Sequence, residues 1–204
     1  MIQHVQKLPG YQLNEYELIL DPHEELRNRI IQVKKDFAET FQAPQALWGK
    51  PRLTLVRFSQ LEMMEERILN RLKTIAMGSH PVKVELKDFG SFPSHTIYIH
   101  VATREPVKQL VRQIKEMQRL MKPDADHKPH FIDDPFFPIV RKLLPWQYEK
   151  GWLDFSQRHF TGRFIADGML LLKRREGAKG YQILRRFEFM NLPVATKQGD
   201  LFAM

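Results

Sequence analysis

The chain contains no cysteine, which excludes a disulfide framework and thiolate chemistry and makes the reducing cytoplasm the expected setting. It also lacks a long apolar run. Met1 to Leu20 is studded with polar residues and offers neither the apolar core nor the cleavage site of a signal peptide, and no later stretch approaches the length of a membrane span. A soluble chain with no membrane partner is expected. Glycine is sparse, with 10 residues that form neither a phosphate-cradling loop nor a dinucleotide fingerprint, and there is no nucleophile elbow or zinc-ligand pair. No cofactor and no metal are expected.

Of the 204 residues, 43% are hydrophobic and 11% aromatic, enough to bury a core in one large domain or two small lobes. The formal charge of +8 favours polyanionic partners. The excess is uneven: between Arg158 and Arg186 the chain carries Arg163, Lys173, Arg174, Arg175, Lys179 and Arg185 against Asp167 and Glu176.

Local patterns divide the chain into short elements. Tyr16 to Leu20 reads as a strand, and Asp21-Pro22-His23-Glu24 supplies a cap, a proline and a first-turn acid for a helix with Leu26, Ile30, Val33, Phe37 and Phe41 inward. Pro51 to Phe58 alternates as a strand, and Ser59 to Glu62 reads as a capping box for a second helix ending at Gly78. Val82 to Leu86 and Ile97 to Val101 form a hairpin pattern, and Glu105 to Met121 a third, bridging helix. After a polar connector, Lys122 to Asp134, come a strand from Pro135, a short helix within Pro145 to Gln157, and two long strands, Phe160 to Lys173 and Tyr181 to Phe189.

One pattern occurs twice. Pro51-Arg52-Leu53-Thr54-Leu55-Val56-Arg57 is matched 84 positions later by Pro135-Phe136-Phe137-Pro138-Ile139-Val140-Arg141, with Pro, Val and Arg identical. Each copy heads a strand-helix-hairpin unit, so two similar halves meeting at a shared cleft are expected.

This duplicated strand resembles the paired signature of the two-histidine phosphoesterase superfamily, which includes bacterial 2′-5′ RNA ligase-like proteins and 2′,3′-cyclic nucleotide phosphodiesterases. The resemblance covers nearly the whole chain in element order. It implies an α+β fold of two pseudo-symmetric lobes, with antiparallel sheets facing a central cleft and helices outside. The lobes would form one bilobal domain over residues 1–193, with motif strands at 51–58 and 135–142 and a C-terminal tail at 194–204. In the family each copy reads Pro-His-hydrophobic-Thr/Ser-hydrophobic. Residues two apart on a strand share a face, so the His and Thr of each copy look into the cleft together. One imidazole takes a proton from the attacking oxygen and the other gives one to the leaving oxygen.

The chain departs from that signature at the site itself. Arg52 and Phe136 stand in the two histidine positions and Pro138 in one hydroxyl position, and only Thr54 is retained. Arginine stays protonated near neutral pH, and phenylalanine and proline side chains exchange no protons. With each positioned acid or base worth roughly 10² to 10⁴ in rate, little hydrolysis by the family's mechanism is expected. Arg52 and Thr54 are candidates to hold phosphate, and Phe136 with Pro138 to contact a base or sugar. The plainer alternative is that Arg52 pairs with a carboxylate and Phe136 fills space. Arg57 and Arg141 lie an odd number of residues from 52 and 136, so they should face away from the cleft unless the strands bulge.

Other histidines offer weaker candidates. His159-Phe160-Thr161 is a literal His-x-Thr, with Arg163 on the same face, although the preceding proline is missing. Tyr98 and His100 share a strand face with Thr96. His127 and His130 near Asp124, Asp126, Asp133 and Asp134 read as an acidic loop, since their spacing fits no ligand set. Trp48, Trp146 and Trp152 read as core or lobe-edge anchors.

The leading expectation is a phosphoesterase-like protein that binds a phosphorylated nucleotide or RNA end without efficient turnover, with the basic hairpin at Arg174 and Arg175 attracting the polyanion. Two rivals stand beside it. One is an active 2′,3′-cyclic phosphodiesterase recruiting His159, His100 or His130. The other is a non-catalytic partner-binding protein that uses the fold alone.

Overall fold

In a computed structural model of the chain, the described residues are 10–192. They form β1 (Leu13–Leu20), α1 (Glu24–Thr40), β2 (Leu53–Leu61), α2 (Glu65–Gly78), β3 (Val82–Phe92), β4 (Thr96–Val101), α3 (Arg104–Lys115), β5 (His130–Phe131), β6 (Phe136–Val140), α4 (Pro145–Phe155), β7 (Thr161–Ala166), β8 (Gly168–Arg175) and β9 (Gln182–Glu188). The tail expected at 194–204 lies outside the described residues. Two antiparallel sheets result, one ordered β5-β2-β1-β8-β9 and the other β6-β4-β3-β7. The α+β class and the two-sheet architecture match the sequence expectation.

The halves interleave, which the repeat did not reveal. Each sheet takes strands from both ends of the chain, and the repeated strands β2 and β6 fall in different sheets. The stretch expected as one strand from Phe160 to Lys173 is two: β7 pairs with β3, and β8 pairs with β1 in the other sheet. The crossing occurs at Asp167-Gly168, where a Cβ on Gly168 would lie 2.4 Å from the Phe187 carbonyl oxygen, closer than any side chain can sit.

Two helix starts also differ. His23 caps α1, its Nδ1 accepting from the Leu26 N–H at 3.2 Å, while Asp21 takes an ion pair from Arg27 at 2.8 Å. Ser59 and Gln60 remain in β2 because β1 offers them partners, Glu15 and Asn14. Pairing along a full strand overrides the capping signal of four residues. The third helix ends at Lys115, and Gln118–Met121 continues as a 3₁₀ turn.

A continuous apolar cluster runs through both sheets and the helices packed on them. Phe155 of α4 is buried at a junction, with ring centroids 5.0 Å from Phe37 of α1, 6.2 Å from Phe41 and 4.9 Å from Phe89 of β3. Such edge-to-face packing adds to the burial of the rings themselves. Truncating it leaves a cavity between three elements, so Phe155→Ala should cost about 3–5 kcal/mol. Urea denaturation should show a lower midpoint with an unchanged slope.

Candidate functional site

The repeated strands carry the same irregularity. Along β2, Leu18 pairs with Val56 and Ile19 with Thr54, which leaves Leu55 without a partner. Along β6, Ile97 pairs with Val140 and Tyr98 with Pro138, which leaves Ile139 without one. Each is a β-bulge of one extra residue, and each shifts the side-chain alternation by one. Leu55 and Val56 are therefore both buried, as are Ile139 and Val140. Arg57 and Arg141 consequently return to the face of Thr54 and Pro138. The expectation that the two arginines face away from the cleft is corrected by this bulge. Pro138 is accommodated because β6 is an edge strand and the ladder is already interrupted beside it.

The two faces meet. Thr54, Arg57, Phe136 and Arg141 line a cavity of about 450 Å³, with Phe92 and His130 on its wall. Arg52, Thr54, Pro138 and Arg141 line an adjoining one of about 220 Å³, with Trp48 and Lys50 at its side. Positions 52 and 136, matched in the repeat, thus border adjoining spaces that share Thr54, Arg57, Arg141 and Lys142.

At the floor lies Glu17 of β1, a residue that the sequence reading passed over. Its side chain is fully buried. Arg57 stands directly across the ladder and donates from Nε and Nη2 to Glu17 Oε1 at 3.0 and 2.9 Å. Thr54 Oγ1 donates to the same oxygen at 2.6 Å, and Arg52 forms an ion pair with Oε2. An ionised carboxylate only accepts, so the single proton of the Thr54 hydroxyl is committed to it. The signal available in the sequence was a lone acid inside Tyr16-Glu17-Leu18-Ile19-Leu20, an otherwise apolar strand.

Arg52 is held from a second side. Its guanidinium lies 5.1 Å from the centroid of the Tyr181 ring, which Arg174 also contacts at 4.6 Å. Arg174 in turn donates from Nε to Glu15 at 2.8 Å, so that member of the basic hairpin is partly neutralised. Arg141 differs. It packs 5.5 Å over the Phe136 ring, and burial together with nearby Arg57 holds its pKa below the ordinary arginine value. Among the described residues it makes no ion pair with a carboxylate.

Phe136 belongs to an aromatic wall, with centroids 5.1 Å from Phe92 and 5.0 Å from Tyr98. Tyr98 and His100 lie across Gly90, where a Cβ would meet His100 Nε2 at 2.6 Å. They stand behind Phe136 rather than along the cavity, and burial followed by Arg104 lowers the His100 pKa.

The remaining candidates are elsewhere. His159 has a side chain 90% exposed and bonds Asp88 at 3.2 Å. Thr161 and Arg163 border a separate groove with His23, Arg29 and Lys87. His127 bonds Asp124 within a turn whose backbone N–H groups also point at that carboxylate. His130 and the unanticipated His95 line the larger cavity. Trp48 is 69% exposed and Trp146 is also exposed, so neither is a core anchor; Trp152 packs against the core.

This architecture of two antiparallel sheets, with duplicated strands meeting over a polar cleft, is that of the two-histidine phosphoesterases. Residues 22–178 match the model of the 2′-5′ RNA ligase superfamily, and the chain belongs to that family. Among solved structures it is similar to E. coli LigT complexed with NADP+, at 16% identity over 88% of this chain and 99% of that chain, with a TM-score of 0.59. LigT complexed with 3′-AMP gives 14%, 87%, 98% and 0.60 in the same order. TT0787 of Thermus thermophilus gives 16%, 86%, 98% and 0.62. At these identities the shared property is the fold. No curated protein sequence matches the chain.

Lys34 of α1 gives the cleft a measurable pH signature. It is buried, donates to the carbonyls of Trp48 and Gly49 at 3.1 and 2.7 Å, and has its pKa lowered to about 8 by burial and by Arg52. Between that value and the ordinary 10.5 the unfolded chain keeps a proton that the folded chain releases, so rising pH favours folding across this window. Below it both states are protonated and the dependence vanishes. Urea denaturation at pH values of about 8 and 10 should show wild type gaining stability relative to Lys34→Met. Parallel behaviour of the two proteins would contradict the shift.

Proposed function

We propose that this protein binds a phosphorylated nucleotide or RNA end in the cleft between β2 and β6 and does not hydrolyse it efficiently. The observation that carries this reading is the charge of the cleft: Arg52, Arg57 and Arg141 surround one buried carboxylate, Glu17, leaving two positive charges in excess. Guanidinium forks match phosphate oxygens, and a recess strengthens the attraction. Arg141, which has no carboxylate partner among the described residues, is the natural first contact. Thr54, whose proton is committed to Glu17, orients the arginines rather than donating to the ligand. The Phe136 and Phe92 rings offer a face on which a base can stack.

The resemblance supplies the second half of the reading. Where family members place a pair of histidines, this chain has Arg52 and Phe136, neither of which can shuttle a proton. NADP+, phosphate and 3′-AMP are bound by LigT, a structural neighbour, and they supply sensible probes. At a hundredfold excess over its dissociation constant, a ligand adds about 2.7 kcal/mol to stability. Adding 3′-AMP should raise the melting temperature of wild type and leave Arg52→Ala and Arg141→Ala unchanged. A shift that survives both substitutions would move the site elsewhere.

One observation favours a second reading. His95 and His130 line the same cavity as Thr54 and Arg57, and His95 Nδ1 lies 2.6 Å from Thr96 Oγ1, which fixes its ring. Two imidazoles there could exchange protons with a cyclic phosphodiester. On this reading, 2′,3′-cyclic AMP is opened at a rate that falls at least about a hundredfold in His95→Ala or His130→Ala. Absence of turnover in wild type supports the binding-only function.

A further inference from the structure

Away from the cleft, α4 has two faces of opposite character. Gln147, Gly151 and Phe155, each one turn from the next, are buried. The helix lies so close to α1 that a Cβ on Gly151 would sit 2.7 Å from the Phe37 ring. Packing on this side fixes the orientation of the helix. The other side carries Trp146, Glu149, Lys150 and Leu153, whose spacing places them in one stripe along the helix surface. Trp146 is 43% exposed and Leu153 76%, so two large apolar side chains face outward with an acid and a base between them.

Neither charge is neutralised on its own helix. No lysine or arginine stands three or four positions from Glu149. Asp154, the acid one turn beyond Lys150, is engaged by Arg158, which donates from Nε and Nη2 at 3.0 and 2.6 Å. Lys150 lies instead 5.8 Å from the centroid of the Trp146 ring. Read backwards, the stripe keeps its apolar ends and exchanges its charges. A copy laid antiparallel, centred between positions 149 and 150, therefore sets Trp146 against Leu153 and Glu149 against Lys150, each contact occurring twice. A parallel copy in register would oppose like charges.

We infer that the exposed face of α4 is a self-association surface, on which a second copy of this chain packs its own α4 antiparallel about a two-fold axis between Glu149 and Lys150. Burial of the apolar ends drives the contact, and the central ion pairs set its direction and register. A single helix face offers less than the roughly 1,200 Å² of total area that stable interfaces bury. Two copies that each carry +8 also repel. The dimer is accordingly weak, with a dissociation constant on the order of tens of micromolar.

Sedimentation equilibrium of the full chain tests this, from about 5 to about 500 µM at about 0.15 M salt, where long-range repulsion is screened. Wild type should pass from monomer to dimer across that range. Glu149→Lys makes both central positions of the seam positive and Lys150→Glu makes both negative, so each variant alone should weaken the dimer at least about tenfold. An equimolar mixture of the two restores opposite charges across the seam and should recover dimers, which also shows that both variants are folded. Leu153→Ala should weaken the wild-type dimer without changing its charge. A chain that stays monomeric throughout would overturn the inference. So would a dimer that survives both charge reversals, or a mixture that associates no better than its components.

Discussion

The cleft depends on one buried carboxylate. Glu17 has no solvent of its own, and removing an ion from water costs several kcal/mol unless charge and hydrogen bonds replace the lost hydration. Arg52, Arg57 and Thr54 supply that replacement. The dependence is mutual, since guanidiniums gathered at the mouth of a narrow cleft repel one another without a negative charge beneath them. The arrangement fixes β1 to β2 at the polar face, orients two arginines and leaves the third, Arg141, with surplus charge.

Bulges place these groups where they can act together. A regular strand would carry Arg57 and Arg141 to the opposite face, leaving Arg52 alone above Glu17. One extra residue in each strand, Leu55 and Ile139, restores both arginines to the cleft. The same burial sequence follows in both copies, from Pro51 to Arg57 and from Pro135 to Arg141. Similar local geometry, set in two different sheets, brings two distant segments to a common space. That is the structural content of the repeat.

Membership of the 2′-5′ RNA ligase superfamily fixes the scaffold and leaves the chemistry to the residues standing in the cleft. In this chain the residues lining the cleft include Arg52, Arg57, Arg141 and the rings of Phe92 and Phe136. Such groups suit holding a phosphate and stacking a base. The nearby His95 and His130 sit on the wall rather than on the duplicated strands, so any proton transfer they perform would follow a different geometry from that of the family.

The sequence alone determined the kind of elements, the duplication and the class of scaffold, because these follow from alternation, helical spacing and a short motif that are local in the chain. Arg52, Thr54, Phe136 and Pro138 were legible as cleft residues for the same reason. It misjudged Arg57 and Arg141, whose direction depends on an unpaired residue that only the neighbouring strand reveals. It passed over Glu17, since an acid in an apolar strand acquires meaning only through the arginine opposite it. Trp48 read as an anchor because exposure is a property of what fails to pack against it. Tertiary structure decided how β7 and β8 divide between sheets, where the bulges fall and which charges meet, because each is settled by partners far away in the chain.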